Sequence, residues 1–221
     1  MSASLFSLLK SRVKVEATNR AGFILLLLSF FLTFFSAHAQ QPVKVIWPLT
    51  NDSESVYTSG IGSATFAYGP GLNSFRYDSI NGATACGWNS RDLDKSDYFE
   101  YTITPERDET ITLNKLDFEV SLNLVNMRIA VHYSLDNFQK QSTPIGHGIF
   151  VGKNSSRDLR VNTEITVTYP QSLSIRIYGW SAPTPTVNFF TGNVEFNGSL
   201  RGPSTIFTLT ESHTDVNCFG A

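Results

Sequence analysis

Past residue 40, apolar and polar side chains alternate one by one in short runs, and proline, glycine, asparagine and aspartate end those runs. Val43–Trp47 stops at Pro48, and Tyr98–Thr104 stops at Pro105. Thr110–Leu113 and Lys115–Val120 repeat the pattern on either side of Asn114. Met127–Tyr133 sets Met127, Ile129, Val131 and Tyr133 on one side, and Glu164–Tyr169 does the same with Ile165, Val167 and Tyr169. Leu173–Tyr178 and Val194–Leu200 complete the set. A two-residue period describes strands with one face in a core and the other in water. The residues at the breaks are turn formers. No segment after the first forty residues carries a 3.6-residue period. The pattern therefore predicts an all-β chain, an antiparallel β-sandwich (jelly-roll-like) of seven or eight strands. A closed barrel is the alternative, because it too buries alternate residues. Residues 51–91 hold six glycines among many serines and asparagines, and read as long loops with short strands at Ala64–Tyr68 and Ser74–Tyr77.

The first 39 residues have another logic. Lys10, Arg12, Lys14 and Arg20 make a positive segment, and the apolar run Ala21–Ser36 follows, then Ala37-His38-Ala39. That order predicts a secretory signal peptide cleaved after Ala39. The run has 16 residues, short of the roughly 20 that cross a bilayer. The expected organisation is a signal peptide over 1–39, a sandwich over 40–202, and a distinct segment over 203–221. Cleavage leaves 13 basic and 18 acidic side chains, a net charge of −5. With no basic excess to neutralise phosphates, nucleic acid is an unsuitable partner. No further apolar stretch is long enough to span a membrane, so the expected product is secreted, extracellular or at the cell surface.

Catalytic chemistry is sparsely supplied. The chain has four histidines; His38 leaves with the signal peptide, and His132 sits on the strand face opposite Ile129 and Val131. His147 lies between two glycines, and His213 is in the tail. No nucleophile elbow, metalloprotease helix or phosphate loop occurs. No catalytic residue is assigned and no enzyme is expected. Cys86 and Cys218 are too far apart in sequence, and too few, for a zinc site. Cys86 reads as a small buried residue. Asn51, Asn154 and Asn197 head glycosylation sequons, and Asp78-Ser79-Ile80 matches a short O-glycosylation pattern.

Several phrases occur together in a familiar order: Ile46-Trp-Pro-Leu-Thr50, a glycine-rich stretch with Trp88, Asp97–Pro105, Leu113–Phe118, Val131–Phe138, Ser174–Trp180 and Asn193–Gly198. Across residues 43–200 the series resembles the secreted β-sandwich module found beside bacterial pectate lyases and in large surface proteins. Thr208–Ala221, with Cys218-Phe-Gly220, resembles the start of a gliding-motility adhesin (SprB-type) repeat. The resemblance implies a non-catalytic N-terminal module of a secreted, cell-surface adhesin-like protein, with Cys218 as part of a repeat whose remainder lies past Ala221. Its alternative is a carbohydrate-binding accessory module of a polysaccharide-degrading enzyme. Partners implied are extracellular polysaccharide or cell-surface components. Modules of this kind stack aromatic rings on sugars, which makes Trp180, Tyr178 and Trp88 candidate ligand-binding residues; Trp180 precedes a proline-rich loop suited to presenting it. Trp47 is expected in the core. Arg157, Arg160 and Arg176 are candidates for a basic patch toward an acidic polymer. No cofactor is implied beyond a structural calcium ion, with Asp52, Glu54 and Glu195 as its candidate oxygen ligands.

Overall fold

The computed structural model describes residues 40–123, 125–180 and 188–201. The expected signal peptide over 1–39 and the segment expected to be repeat-like over 203–221, with His213 and Cys218, lie outside the described residues. So do residues 181–187, the proline-containing segment after Trp180.

Twelve strands are described: β1 (Gln41–Trp47), β2 (Val56–Tyr57), β3 (Ile61–Tyr68), β4 (Asn73–Asp78), β5 (Gly82–Cys86), β6 (Tyr98–Pro105), β7 (Thr110–Leu122), β8 (Met127–Ser134), β9 (Thr143–Val151), β10 (Ser156–Thr168), β11 (Leu173–Trp180) and β12 (Phe189–Arg201). The first sheet runs β10-β7-β12-β1-β2, and the second runs β3-β6-β11-β8-β9. Every pairing is antiparallel. Strand β12 outruns β1: Val194–Leu200 pair with β1, while Phe189–Thr191 pair with β5, whose other neighbour is β4. Both sheets have free edges, so the protein is the all-β antiparallel sandwich of the first expectation and not a closed barrel.

The core follows from the alternation. On β6, Phe99, Tyr101 and Ile103 point between the sheets; on β11, Leu173, Ile175 and Ile177 do so. Trp47 is wholly buried, as expected, with the rings of Tyr101 and Phe196 each 5.3 Å away. The pattern also explains one departure. The sequence reading ends a strand at Asn114, whereas β7 continues through it. Inward positions change from odd (Ile111, Leu113) to even (Leu116, Phe118, Val120) at that point, and register shifts against both β10 and β12 absorb the change. A bulge inserts the extra residue and keeps both apolar halves inside. Gly198 faces this bulge, and a Cβ there would lie 2.2 Å from the Thr112 carbonyl oxygen.

Two regions differ more. Residues 51–91 are not mainly loop: the short strands expected at Ala64–Tyr68 and Ser74–Tyr77 are present within the longer β3 and β4, and β2 and β5 are added to them. Strand β9 and the first half of β10 have no counterpart in the sequence reading. Thr143-Pro-Ile-Gly-His-Gly is broken by proline and two glycines, yet it lies at a sheet edge, where proline is tolerated. On β10, only Leu159 and Val161 among Ser156–Asn162 are buried, and charged residues take the open positions. An edge strand has this need, because exposed charge discourages pairing with a stranger.

Candidate functional site

The outer face of the second sheet gathers the residues that strand alternation sends away from the core: Tyr98 and Glu100 on β6, Arg176, Tyr178 and Trp180 on β11, Ala130 and His132 on β8. The register sets Glu100, Arg176 and His132 in one row, and Tyr98, Tyr178 and Ala130 in the next. Arg176 Nε donates to Glu100 Oε2. Its guanidinium carbon also lies 3.8 Å from the Tyr98 ring centre and 4.1 Å from that of Phe138. Phe138 is held there by the β8–β9 turn. Ser134 Oγ accepts the N–H groups of Asp136 and Phe138, and the Asp136 carboxylate accepts those of Lys140 and Gln141. The Ser134 hydroxyl, which donates to Asp136 Oδ1 at 2.6 Å, and then the N–H bonds to the carboxylate hold the Asp136 pKa below its ordinary value.

This face is already occupied by its own side chains. Tyr178 is 2% exposed, with Tyr98 and His132 edge-on against it. Trp180 is 7% exposed, with the His147 ring 5.5 Å away, and Leu93 packs on the same cluster. His132 Nδ1 meets Ser142 Oγ at 2.8 Å, while its Nε2 is buried without a partner. Burial first, then the neighbouring His147 and Lys95, lower the His132 pKa and favour the neutral ring. The expectation that Trp180 and Tyr178 offer ring faces to a ligand is corrected here: neither has an open face. The third candidate ring is corrected more firmly. Trp88 is fully buried, its Nε1 donating to the Ala85 carbonyl at 2.9 Å, with Phe99 and Phe189 edge-on at 5.2 and 4.9 Å. Gly179 makes room for it, since a Cβ there would come within 3.0 Å of the indole.

The calcium trio is not assembled. Among the described residues no three His, Cys, Asp or Glu side chains form a group able to hold a metal ion. Asp52 is turned back to accept the Glu54 N–H, and Glu195 is bound to Lys44 Nζ at 2.9 Å and to Asn197 Nδ2 at 2.8 Å. The three arginines of the basic patch are also separated: Arg157 and Arg160 lie on β10 of the first sheet, Arg176 on β11 of the second. Cys86 is half-buried, and its Sγ lies 3.1 Å from Asn188 Oδ1. Asp78 closes the β4–β5 turn by accepting the N–H groups of Ile80 and Asn81, which leaves Ser79 and Ile80 exposed at its tip.

One acidic pair is informative about stability. Asp97 is 3% exposed, and among the described residues its carboxylate accepts from the Ser90 and Ser96 hydroxyls, both shared with Asp94. Burial, then the Asp94 charge, raise the Asp97 pKa. A raised carboxyl binds its proton more tightly when folded, so stability gained in acid is lost as pH rises through the folded pKa. Asp97→Asn should therefore raise Tm at pH 7 and leave it nearly unchanged at pH 4. A lower Tm at pH 7 in scanning calorimetry would contradict this.

An open site lies instead along one lateral edge of the sandwich, where β2 borders the first sheet and β3 the second. Ser55 Oγ donates to the Ala64 carbonyl at 3.0 Å and ties the two edges together. Between them runs a groove of about 460 Å3 lined by Ser53, Glu54, Ser55, Tyr57, Ala64, Thr65 and Phe66. Its volume is in the range of small-molecule sites. Tyr57 is 43% exposed, and further along the same edge Tyr68 is 47% exposed, with one face stacked on Phe75 at 4.3 Å. A second groove, about 410 Å3, crosses the outer face of the first sheet over Asp117, Glu119, Asp158, Arg160 and Asn193. There, Arg160 and Lys115 pair with Asp117 at 2.7 and 2.6 Å, and Ser156 bonds Glu119. In the edge groove, Ser55 alone among the lining side chains is hydrogen-bonded within the described residues. Sequence reasoning singled out Glu54 for another role and missed Tyr57, Thr65 and Phe66. The available signal was Val56-Tyr57, an apolar pair set in a run of serines, threonines and glycines with no partner at two-residue spacing.

No family model matches the chain, and no curated protein matches it. Solved structures overlap with it. A carbohydrate-binding module CBM36 in complex with calcium and xylotriose is 10% identical, with 71% of this chain and 98% of that one covered at a TM-score of 0.34. A CBM32 module from a family 31 glycoside hydrolase of Clostridium perfringens is 15% identical, covering 64% and 96% at 0.36. The xylan-binding module CBM15 is 14% identical, covering 75% and 94% at 0.35. At these identities and scores no ligand or site carries over to this chain. No helix among the described residues is long and apolar enough to cross a membrane.

Proposed function

We propose that the sandwich is a non-catalytic glycan-binding module, exported behind the Met1–Ala39 leader and acting on extracellular polysaccharide through its edge groove. One observation carries this reading: the groove sets the half-exposed Tyr57 of β2 beside the Glu54 carboxylate, from the segment leading into β2, and the Thr65 hydroxyl of β3. An aromatic ring supplies a flat apolar platform, and polar groups beside it fix orientation. That pairing suits a pyranose, which has an apolar face and a hydroxyl rim. The outer-face aromatics, already packed on one another, offer no such platform.

Replacing the ring tests the reading. Tyr57→Ala is expected to lower glycan affinity at least tenfold in affinity electrophoresis through soluble polysaccharides, with Tm within about 2 °C of the parent because the side chain is half exposed. Unchanged migration of the variant beside a retarded parent would remove the groove from the account.

The adhesin reading stands second, favoured by the Cys218-Phe-Gly220 phrase in the tail. Cys-x-Gly repeats encoded past codon 221 would set this module at the front of an adhesin; an enzyme domain there would make it an accessory module. Glycan recognition by the sandwich is compatible with either setting.

A further inference from the structure

We infer that the edge groove selects neutral, hydroxyl-rich glycans over uronate polymers, with Glu54 as the discriminating group. The inference rests on the glycan-binding reading and adds the charge class of the ligand. Glu54 is the single acidic or basic side chain among the groove's lining residues, and no ion pair involves it among the described residues. Its backbone N–H is fixed by Asp52, which places a second carboxyl in the same loop. Lys44, on β1 beside β2, is bound to Glu195.

Two consequences follow from that arrangement. A free carboxylate is acceptor-only and takes two neighbouring hydroxyls as donors, in charge-assisted bonds stronger than neutral ones. Ser53 and Thr65 add hydroxyls that donate or accept, and Tyr57 adds the ring. A neutral pyranose meets all of these. A uronate residue brings its own carboxylate into a groove that holds a like charge and no cation, and like charges at close range repel. The whole chain points the same way, at −2 overall and −5 without the leader.

The test uses the purified protein with chelator present, so that no divalent ion bridges carboxylates. Its probes are soluble neutral xylan and galactan on one side and polygalacturonate on the other. The expected result is binding of a neutral probe at least tenfold tighter than of polygalacturonate, with little change in affinity between about 0.05 and 0.5 M salt. Glu54→Gln should weaken the neutral probe about tenfold, the loss of one charge-assisted bond. Glu54→Lys should weaken it further while strengthening polygalacturonate. Circular dichroism melts confirm that both exposed-site variants fold. Equal or tighter binding of polygalacturonate, or neutral-glycan binding indifferent to Glu54→Gln, would overturn the inference and leave the glycan-binding reading intact. No binding of any probe by the parent would overturn the glycan-binding reading itself, and this inference with it.

Discussion

Trp88→Ala is expected to cost about 3–5 kcal/mol of unfolding free energy, the range for emptying a buried tryptophan site. The indole is fully buried between Phe99 and Phe189 and nests on Gly179. Truncation leaves a large apolar void, and the Ala85 carbonyl loses its donor. The surrounding strands β5, β6 and β12 belong to both sheets and are fixed by their own hydrogen bonds, so collapse into the void is limited. Urea denaturation followed by fluorescence and circular dichroism gives the number. At temperatures where the variant is folded, glycan affinity should match the parent, because Trp88 lines no part of the groove. A loss under 1 kcal/mol, or a selective loss of glycan binding, would mean that Trp88 is a ligand residue after all.

The second large effect belongs to Arg176. Its side chain is 16% exposed and that of Glu100 14%, so the pair is mostly out of water. Removing one member of such a pair leaves the other charge buried and uncompensated, at a cost of roughly 3–5 kcal/mol. Arg176→Ala also empties the space between the Tyr98 and Phe138 rings. The residual exposure screens the pair somewhat, so a loss near 3 kcal/mol is expected, at the low end of that range. Arg176→Met with Glu100→Gln should recover most of it, since an apolar stem refills the gap and no lone charge remains. A double variant as unstable as Arg176→Ala would show that the ion pair, and not the packing, holds this face.

These two residues also show what the sequence makes legible. Alternation in Tyr98–Thr104 and Leu173–Tyr178 is enough to place β6 and β11, to bury Phe99 and Ile175, and to send Glu100 and Arg176 outward. It does not reveal that the outward face is covered, because the cover comes from distant segments: Leu93 before β6, Phe138 after β8 and His147 on β9. Tyr178 and Trp180 read as available rings for that reason. Trp88 misleads differently. It sits in a glycine- and serine-rich stretch that looks like loop, and only the pairing of β5 with the far end of β12 carries it into the core. The groove is hardest of all to foresee. Strand β2 has two residues, too few for a period, and its neighbour across the groove belongs to the other sheet. Calcium ligation by Asp52, Glu54 and Glu195 fails on a local point, since Lys44, which pairs with Asn197 on the neighbouring strand, reaches diagonally to Glu195 and claims its carboxylate.

The most direct test of the central claim is to titrate 15N-labelled protein with a neutral oligosaccharide and follow backbone amide shifts. The account predicts that the largest shifts cluster at Ser53–Tyr57 and Ala64–Tyr68, along the β2 and β3 edges. Shifts centred on Arg128–His132 and Arg176–Trp180 would place recognition on the outer face of the second sheet and contradict it.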